Sequence, residues 1–357
     1  MRNYIHILFL LAFFAFLFSS CEYLEDRFKD DGVLVTGKVG EILVVCDQSI
    51  WDSGIKKQLD SSLTRFIMPY FPDVATFQLI HKTPNHFEKG SKRYRNALFL
   101  NINSNHKGKS LVKKRYHVWA QDQLVVEITA KNQLELAQIC ENKLGVVHQY
   151  FDRFEWVRLI KKYERKNNSH IQKKIKNNFG ISLSLPENSK IVTTRKNFYR
   201  LEFPSASRPI VFEGNGTQDP GTINSGILIY QYDYDGPSQL NLSSLLKARD
   251  TMLHYNVPHE SEGYYMGTQY NKFVYPEIEN TYNYSESIKG KEIRGMFQFK
   301  HNYKKNGTGG AFWAFNFVHP KTNKVICVSG YVDAPSTTSW THSLREIQAV
   351  WKSVKIN

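Results

Sequence analysis

Apolar and polar positions change their rhythm three times along the chain. Residues 7–18 read ILFLLAFFAFLF, an apolar run with no polar interruption, and from Glu22 onward the chain turns polar and acidic (EYLEDRFKDDG). After that, short apolar runs and helical periodicities alternate to the end. Residues 42–46 (ILVVC) form a continuous apolar run, which predicts a buried strand over 41–46; 50–66 carry the spacing of an amphipathic helix; 76–81 and 97–101 are rich in strand formers. A basic, Gly-containing loop is expected at 107–115, and strand character resumes at 116–129. From Asn132 to about Tyr163, Leu134, Ile139, Leu144, Val147, Phe151, Phe154, Val157 and Ile160 recur at roughly helical spacing, predicting one long helix or a broken pair. The continuation KKYERKNNSHIQKKIKNN is a charge run that reads as too polar to bury.

A second unit begins at FGISLSLP, where Gly180 ends the preceding segment. Strands are expected at 198–203 and 227–232, and a helix at 240–255 closed by Pro258. An antiparallel set follows at 263–275, 292–301, 310–319 and 324–332, with HPKTNK as the turn between the last two, and a final helix spans 339–351. In FWAFNFV the period is two, so Trp313, Phe315 and Phe317 face one way while Phe312 and Ala314 face the other. The fold class is therefore α+β: two successive α/β sandwich-like units with mainly antiparallel sheets, spanning 35–165 and 166–357. The strand order and final helix of the second unit resemble the PsbP and Mog1 type of sandwich, an analogy of fold that implies no chemistry.

The apolar run 7–18 is shorter than the roughly 20 residues a helix needs to cross a bilayer. With Arg2 before it and Ser19, Ser20 and Cys21 after it, the segment has the layout of a secretory signal over 1–20. Cys21 behind two small serines resembles a bacterial lipobox, although Phe18 stands where an aliphatic residue is usual. Lipidation at Cys21 is the expectation, with 21–34 as a flexible tether to a membrane. Acidic residues close behind that cysteine also look like signals for display at the cell surface.

Charge alters the list of partners. The formal net charge is +14, which in a cytoplasmic protein would suggest nucleic acid. Export and the absence of any nucleic-acid motif turn the expectation to acidic glycan or an envelope protein, with no nucleic acid. Besides Cys21 the chain holds Cys46, Cys140 and Cys327; Cys46 and Cys327 lie in runs that read as buried strands, where a cysteine is usually a small core residue.

Several blocks fall in order along the chain: TGKVGEILVVCDQSIWDSGIKKQL, RNALFLNIN, VWAQDQLVVEIT, RDTMLHYNVP, EGYYMGTQ, EIRGMFQF and SGYVDAPSTTSWTHSLREIQAVWKSVKI. Together they resemble the domain of unknown function 4837 family, exported lipoproteins of Bacteroidota, from about Thr36 to the end. The resemblance implies an envelope address, outer membrane at its periplasmic or surface face, and brings no reaction and no catalytic residues.

Candidate chemistry is sparse. None of the 12 histidines stands in a close metal-ligand spacing, no GxSxG elbow is present, and no cofactor is implied. Asp233 and Asp235 read as the end of a strand at a turn, and EGNGTQDPGT (213–222) as a surface loop. DTM at 250–252 matches a short glycosylation pattern but lies in an expected helix. The strongest binding signal is aromatic density, with Trp313, Tyr264 and Tyr265 as expected ligand contacts. A non-catalytic binding or assembly lipoprotein is the preferred expectation. The alternative, an enzyme acting on an envelope polymer, requires carboxylates or histidines converging in a cleft.

Overall fold

The computed structural model describes residues 32–107, 112–209, 220–304, 306–334 and 339–357. The expected signal, Cys21, most of the tether and most of the 213–222 segment lie outside the described residues. The chain divides into two compact units: one runs up to Arg65 and resumes over Phe77–Phe151, the other joins Phe66–Thr76 to Asp152–Asn357.

The first unit begins with β1 (Glu41–Val45), all five residues of which are buried. Helix α1 (Gln48–Trp51) and helix α2 (Gly54–Leu63) follow as separate pieces, so the single helix expected over 50–66 is interrupted. The break is at Ser53, whose extended backbone and hydroxyl, accepting from the Ile55 N–H, start α2 as an N-cap. Then come β2 (Gln78–Lys82), α3 (Lys89–Lys92), β3 (Asn96–Ile102), β4 (Val112–Tyr116) and β5 (Leu124–Ala130). The sheet order is β2-β1-β3-β5-β4. Pairings β1 with β2, β1 with β3, and β3 with β5 are parallel; only β4 with β5 is antiparallel. Antiparallel pairing prevails over the chain as a whole, and this unit is the exception. Its physical origin is visible in EILVV: a strand buried on both faces has no polar side to alternate, which is the habit of parallel sheets covered by helices.

Helix α4 (Gln133–Arg165) is one unbroken element. Its buried line in the first unit is Leu136, Cys140, Leu144, Val147 and Phe151, all fully inaccessible, whereas Leu134 is exposed. Asp152–Arg165 of the same helix counts with the second unit. The charge run after it is not a solvated connector. Asn168 caps α5 (Ser169–Phe179), and Ile171, Ile175 and Phe179, four apart, form a buried stripe among the lysines. Gly180 then closes α5 in the left-handed region at φ 67°.

The second unit continues with β6 (Ile181–Ser182), β7 (Lys190–Arg195), β8 (Phe198–Glu202), β9 (Ala206–Pro209) and β10 (Pro220–Asp233). Helix α6 (Leu242–Asn256), capped by the Asn241 side chain, precedes β11 (Tyr264–Thr268), β12 (Glu277–Tyr282), β13 (Lys289–His301), β14 (Gly309–Val318) and β15 (Lys324–Asp333). Helix α7 (Thr341–Lys352) and β16 (Lys355–Ile356) end the chain. The large sheet runs β11-β13-β14-β15-β10-β8-β7, with β12 beside β13 and β9 beside β10. Every pairing in it is antiparallel.

Both faces of this sheet are covered. One packs against α5, α7 and the last turns of α4 through Ile175, Phe179, Ile347, Trp351 and Ile160. The other packs against α6 through Leu245, Leu246 and Leu253. The period of two in β14 divides accordingly, Trp313, Phe315 and Phe317 to the first core and Phe312 and Ala314 to the second. Residues 66–76 precede β2 in sequence but send Ile67, Tyr70 and Val74 into the first of these cores. The carboxyl end is fixed by β16 pairing with β6 and by the Asn357 N–H donating to the Gly180 carbonyl at 2.9 Å.

Gly180 thus serves as a helix cap, a strand start and a close neighbour of His319, whose Nε2 lies 3.1 Å from the Gly180 carbonyl oxygen. A Cβ at this position would stand 2.8 Å from the same nitrogen. Gly180→Ala should therefore cost about 1–2 kcal/mol for the left-handed backbone alone, and more where His319 must move. Denaturant unfolding of the purified variant measures it.

Candidate functional site

Three places bring together groups that chemistry or binding could use. In the first unit, β1 is followed by strands on opposite sides of it, β2 on one and β3 on the other. Such a switch point is where parallel sheets most often bind ligands, at the carboxyl ends of the strands. Here that ground is occupied by side chains of the chain itself. Trp51 lies flat on the His81 ring, with centroids 4.4 Å apart and planes 4° from parallel, and His81 Nε2 is 3.1 Å from the Cys46 carbonyl oxygen. The Lys56 ammonium sits 5.2 Å from the Trp51 ring centre.

The second place is a charged group on the β12 and β13 side of the second unit's sheet. Register puts Glu277 opposite Arg294 and Glu279 opposite Glu292, so all four side chains rise on one face. Arg294 pairs with Glu279, lies 3.6 Å from Glu277 and 3.8 Å from Glu292. Burial pushes the Glu292 carboxyl upward, against the pull of Arg294 and Lys352. Burial likewise holds the Lys352 ammonium below its ordinary range, with Glu292 opposing. Lys352 stands 4.2 Å from the Trp351 ring centre and donates to the Tyr282 carbonyl at 3.4 Å. Three carboxylates converge here as an enzyme would need. They surround one guanidinium, with the Glu277 and Glu279 side chains 43% and 58% exposed and Glu292 buried.

The third place is the margin of the same sheet around β11. His259 contacts Phe299 at 4.5 Å, Tyr264 contacts His301 at 4.8 Å, and Tyr303 beyond His301 is 93% exposed. Further along the strand the Lys300 stem lies across Gly267, where a Cβ would meet it at 2.7 Å, and its ammonium sits 4.9 Å from the Tyr270 ring centre. Tyr275 packs by Tyr270, and Phe273, with Lys272 at 4.8 Å, is 74% exposed. The outer edge of β11 is not open for strand addition: Met266 N–H donates to the Val257 carbonyl and His259 N–H to the Tyr264 carbonyl. What this margin offers is side chains, flat rings with cations set against them.

The expected ligand contacts separate. Trp313 is only 4% exposed and belongs to the core under α7, so it is withdrawn as a surface platform. Tyr264 and Tyr265 are half-buried on opposite faces of β11, Tyr264 by His301 and Tyr265 by His254 at 4.1 Å. Strand alternation explains both outcomes: in a sheet covered on two sides, only residues at its margin keep an accessible ring. Tyr270, Phe273, Tyr275 and Tyr303 were legible as aromatics, but nothing in the sequence marks a loop ring as exposed.

The lesser candidates resolve simply. Asp233 ends β10 with Lys324 at 3.5 Å, and the Asp235 N–H donates to Gln239, a strand-end turn. Thr251 sits within α6 with its hydroxyl donating to the Lys247 carbonyl. Cys46, Cys140 and Cys327 are buried and free, each thiol pushed up to about 12, chiefly by burial. Among the described residues no group of three His, Cys, Asp or Glu could hold a metal ion, and no helix is long and apolar enough to cross a membrane.

The charged group yields a pH test. Because the folded carboxyl of Glu292 is raised above its unfolded value, it favours folding when protonated, and that contribution is lost as pH rises through the folded value. Glu292→Gln should flatten the stability profile above about pH 4, the ordinary carboxylate value, gaining on the native chain as pH rises; parallel profiles in thermal unfolding would contradict this.

Two family models match the chain: one described as domain of unknown function DUF8532 over residues 35–164, the other as domain of unknown function DUF4837 over residues 168–353. The blocks that resemble the second family therefore divide, those before α5 falling in the first match and RDTMLHYNVP onward in the second. No curated protein matches the chain. With more than half its length covered by that second model, the chain belongs to the DUF4837 family.

Proposed function

We propose that this chain is a lipoprotein of a bacterial envelope, exported by residues 1–20, anchored through an acylated Cys21, and serving as a non-catalytic binding module for acidic glycan. The observation that carries the binding role is the β11 margin, where exposed Tyr270, Phe273, Tyr275 and Tyr303 stand beside Lys272 and Lys300. Flat rings stack on the apolar faces of sugars, and ammonium groups held against those rings attract carboxylate or sulfate substituents. The net charge of +14 adds a general attraction for such polymers.

The address rests on the basic start, the apolar run and the Ser19, Ser20, Cys21 boundary. Each acyl methylene buried in a bilayer contributes about 0.8 kcal/mol, so two or more chains hold the protein firmly. The polar stretch behind Cys21 supplies a tether of the composition that stays solvated. An outer-membrane position, at its periplasmic or surface face, fits both the tether and a glycan ligand.

Two outcomes are expected. Cys21→Ser should abolish labelling by a clickable fatty acid and move the protein out of the detergent-extracted membrane fraction; persistence of the label would refute lipidation there. In a pull-down from solubilised envelopes with the tagged full chain, purified acidic glycan should be retained, and Phe273→Ala combined with Tyr303→Ala should weaken retention about tenfold or more. Capture of a stoichiometric protein without glycan would replace the ligand class, and capture of neither would end the binding proposal.

A further inference from the structure

Residues 65–73 read RFIMPYFPD, so the chain runs from Phe66 to Pro72 without a charged side chain between Arg65 and Asp73. The segment is built into the second unit as a closed loop. Phe66 bridges Ala75, the Ile67 N–H donates to the Val74 carbonyl at 2.8 Å, and the Tyr70 N–H donates to the Ile67 carbonyl at 3.3 Å. Ile67, Tyr70 and Val74 enter the core under α7. The Tyr70 hydroxyl donates to the Phe312 carbonyl at 3.0 Å, and the Thr341 hydroxyl to the Ala75 carbonyl at 3.1 Å.

The residues between these anchors face outward. Phe66 is 55% exposed, Met68 50% and Phe71 71%. Because the buried residues of the loop are fixed, the three cannot turn inward, and large apolar side chains held out together in this way mark a contact surface. Its chemistry narrows what it contacts. Sugars and proteins are bound through hydrogen bonds as well as apolar contact, about one per 100–200 Å² in a protein interface. The exposed side chains from Phe66 to Phe71 offer none, and Pro69 and Pro72 remove two backbone N–H donors from the loop. Hydrocarbon is the surrounding that such a composition suits, since a backbone donor there has no water to turn to.

We propose that the loop from Phe66 to Phe71 is a lipid-docking tip, which seats the second unit on a bilayer with Phe66, Met68 and Phe71 at the boundary of headgroups and acyl chains. The inference rests on the membrane address proposed above and goes beyond it: the Cys21 anchor keeps the chain near lipid, whereas the tip fixes which part of the folded body touches it. An anchored chain meets the bilayer at a high effective concentration, so three side chains suffice for a contact that a freely diffusing protein would make weakly. Asp73 limits the depth. Its exposed carboxylate, just past Pro72, stays with headgroups and water and holds the insertion to the tip.

The test reconstitutes the protein purified from membranes into vesicles of phosphatidylethanolamine and phosphatidylglycerol that contain a phospholipid with a diazirine near the carbonyl end of one acyl chain. After irradiation, mass spectrometry should find lipid adducts on Phe66, Met68 or Phe71. The triple variant Phe66→Ser, Met68→Ser, Phe71→Ser, altered only at exposed positions, should remain in the membrane fraction and lose those adducts. Adducts confined to other segments, or adducts at 66–71 undiminished by the three serines, would overturn the proposal. So would self-association that the triple variant abolishes in the absence of acyl-chain adducts, which would assign the tip to a second copy. The native protein alone decides the first of these, whether or not the variant folds. Fatty-acid labelling of Cys21 is read separately, so an anchored protein without tip adducts sinks the docking and leaves the anchor standing, and tip adducts on a chain without acylated Cys21 do the reverse.

Discussion

Burial of both faces of the nine-stranded sheet governs the second unit. A strand in such a sheet has no solvent side, so its alternation separates two cores and not inside from outside. In β14 this consumes Phe312, Trp313, Phe315 and Phe317, all nearly inaccessible. Phe315 stacks on Trp351 of α7 at 5.2 Å while Phe312 lies under Arg249 of α6, so two rings three positions apart reach both covering layers. The consequence for function is geometric. Aromatic density in the sequence measures core, and only rings at the ends of the strands or in their loops remain for a ligand.

The same constraint explains how far the sequence was legible. Elements with strong periodicity stood close to where they fall: β13, β14, β15, α6, α7 and the single helix α4. Marginal strands did not. β12 (EIENTY) and β7 (KIVTTR) are half-exposed, with polar residues that carry no burial signal, and they are ordered by the ladder to β13 and β8 instead of by their own composition. Helix α5 was hidden for the opposite reason. Its lysines dominate the count, yet three apolar residues four apart are sufficient to seat one turn after another on the sheet. The parallel sheet of the first unit was written in EILVV as a run without alternation, a feature that distinguishes buried from half-buried strands but does not state their direction.

Site residues are less legible than elements because exposure is a property of neighbours. Trp313 is the largest aromatic in a strand of rings and is buried by α7; Phe273, an ordinary residue in a loop, is left accessible. Likewise nothing in RDTM marks Arg249 as buried and Asp250 as turned toward β11. That depends on Thr268 and Tyr270 meeting Asp250 from another strand. The division of the chain shows the same limit. The segment 66–76 belongs by sequence to the first half, but Tyr70 donates to the Phe312 carbonyl at 3.0 Å within the second unit, and no local pattern announces that attachment.

Charge in this molecule is arranged by depth. Near the surface, lysines at the β11 margin lie against rings and keep access to solvent, the arrangement suited to a ligand that comes and goes. At intermediate depth, Arg294 gathers Glu277, Glu279 and Glu292, and Lys352 leans on Trp351, so that cations and carboxylates answer one another within the fold. Deepest is Arg249, whose guanidinium lies against the Phe312 ring with the Asp250 carboxylate as its charged neighbour. A cation–π contact is worth about 2 kcal/mol when desolvated, less than the several kcal/mol cost of hiding a lone charge. The difference is met by the Asp250 carboxylate beside it, which keeps its full charge because the donors it accepts from, the Thr268 N–H and the Tyr270 hydroxyl, are neutral.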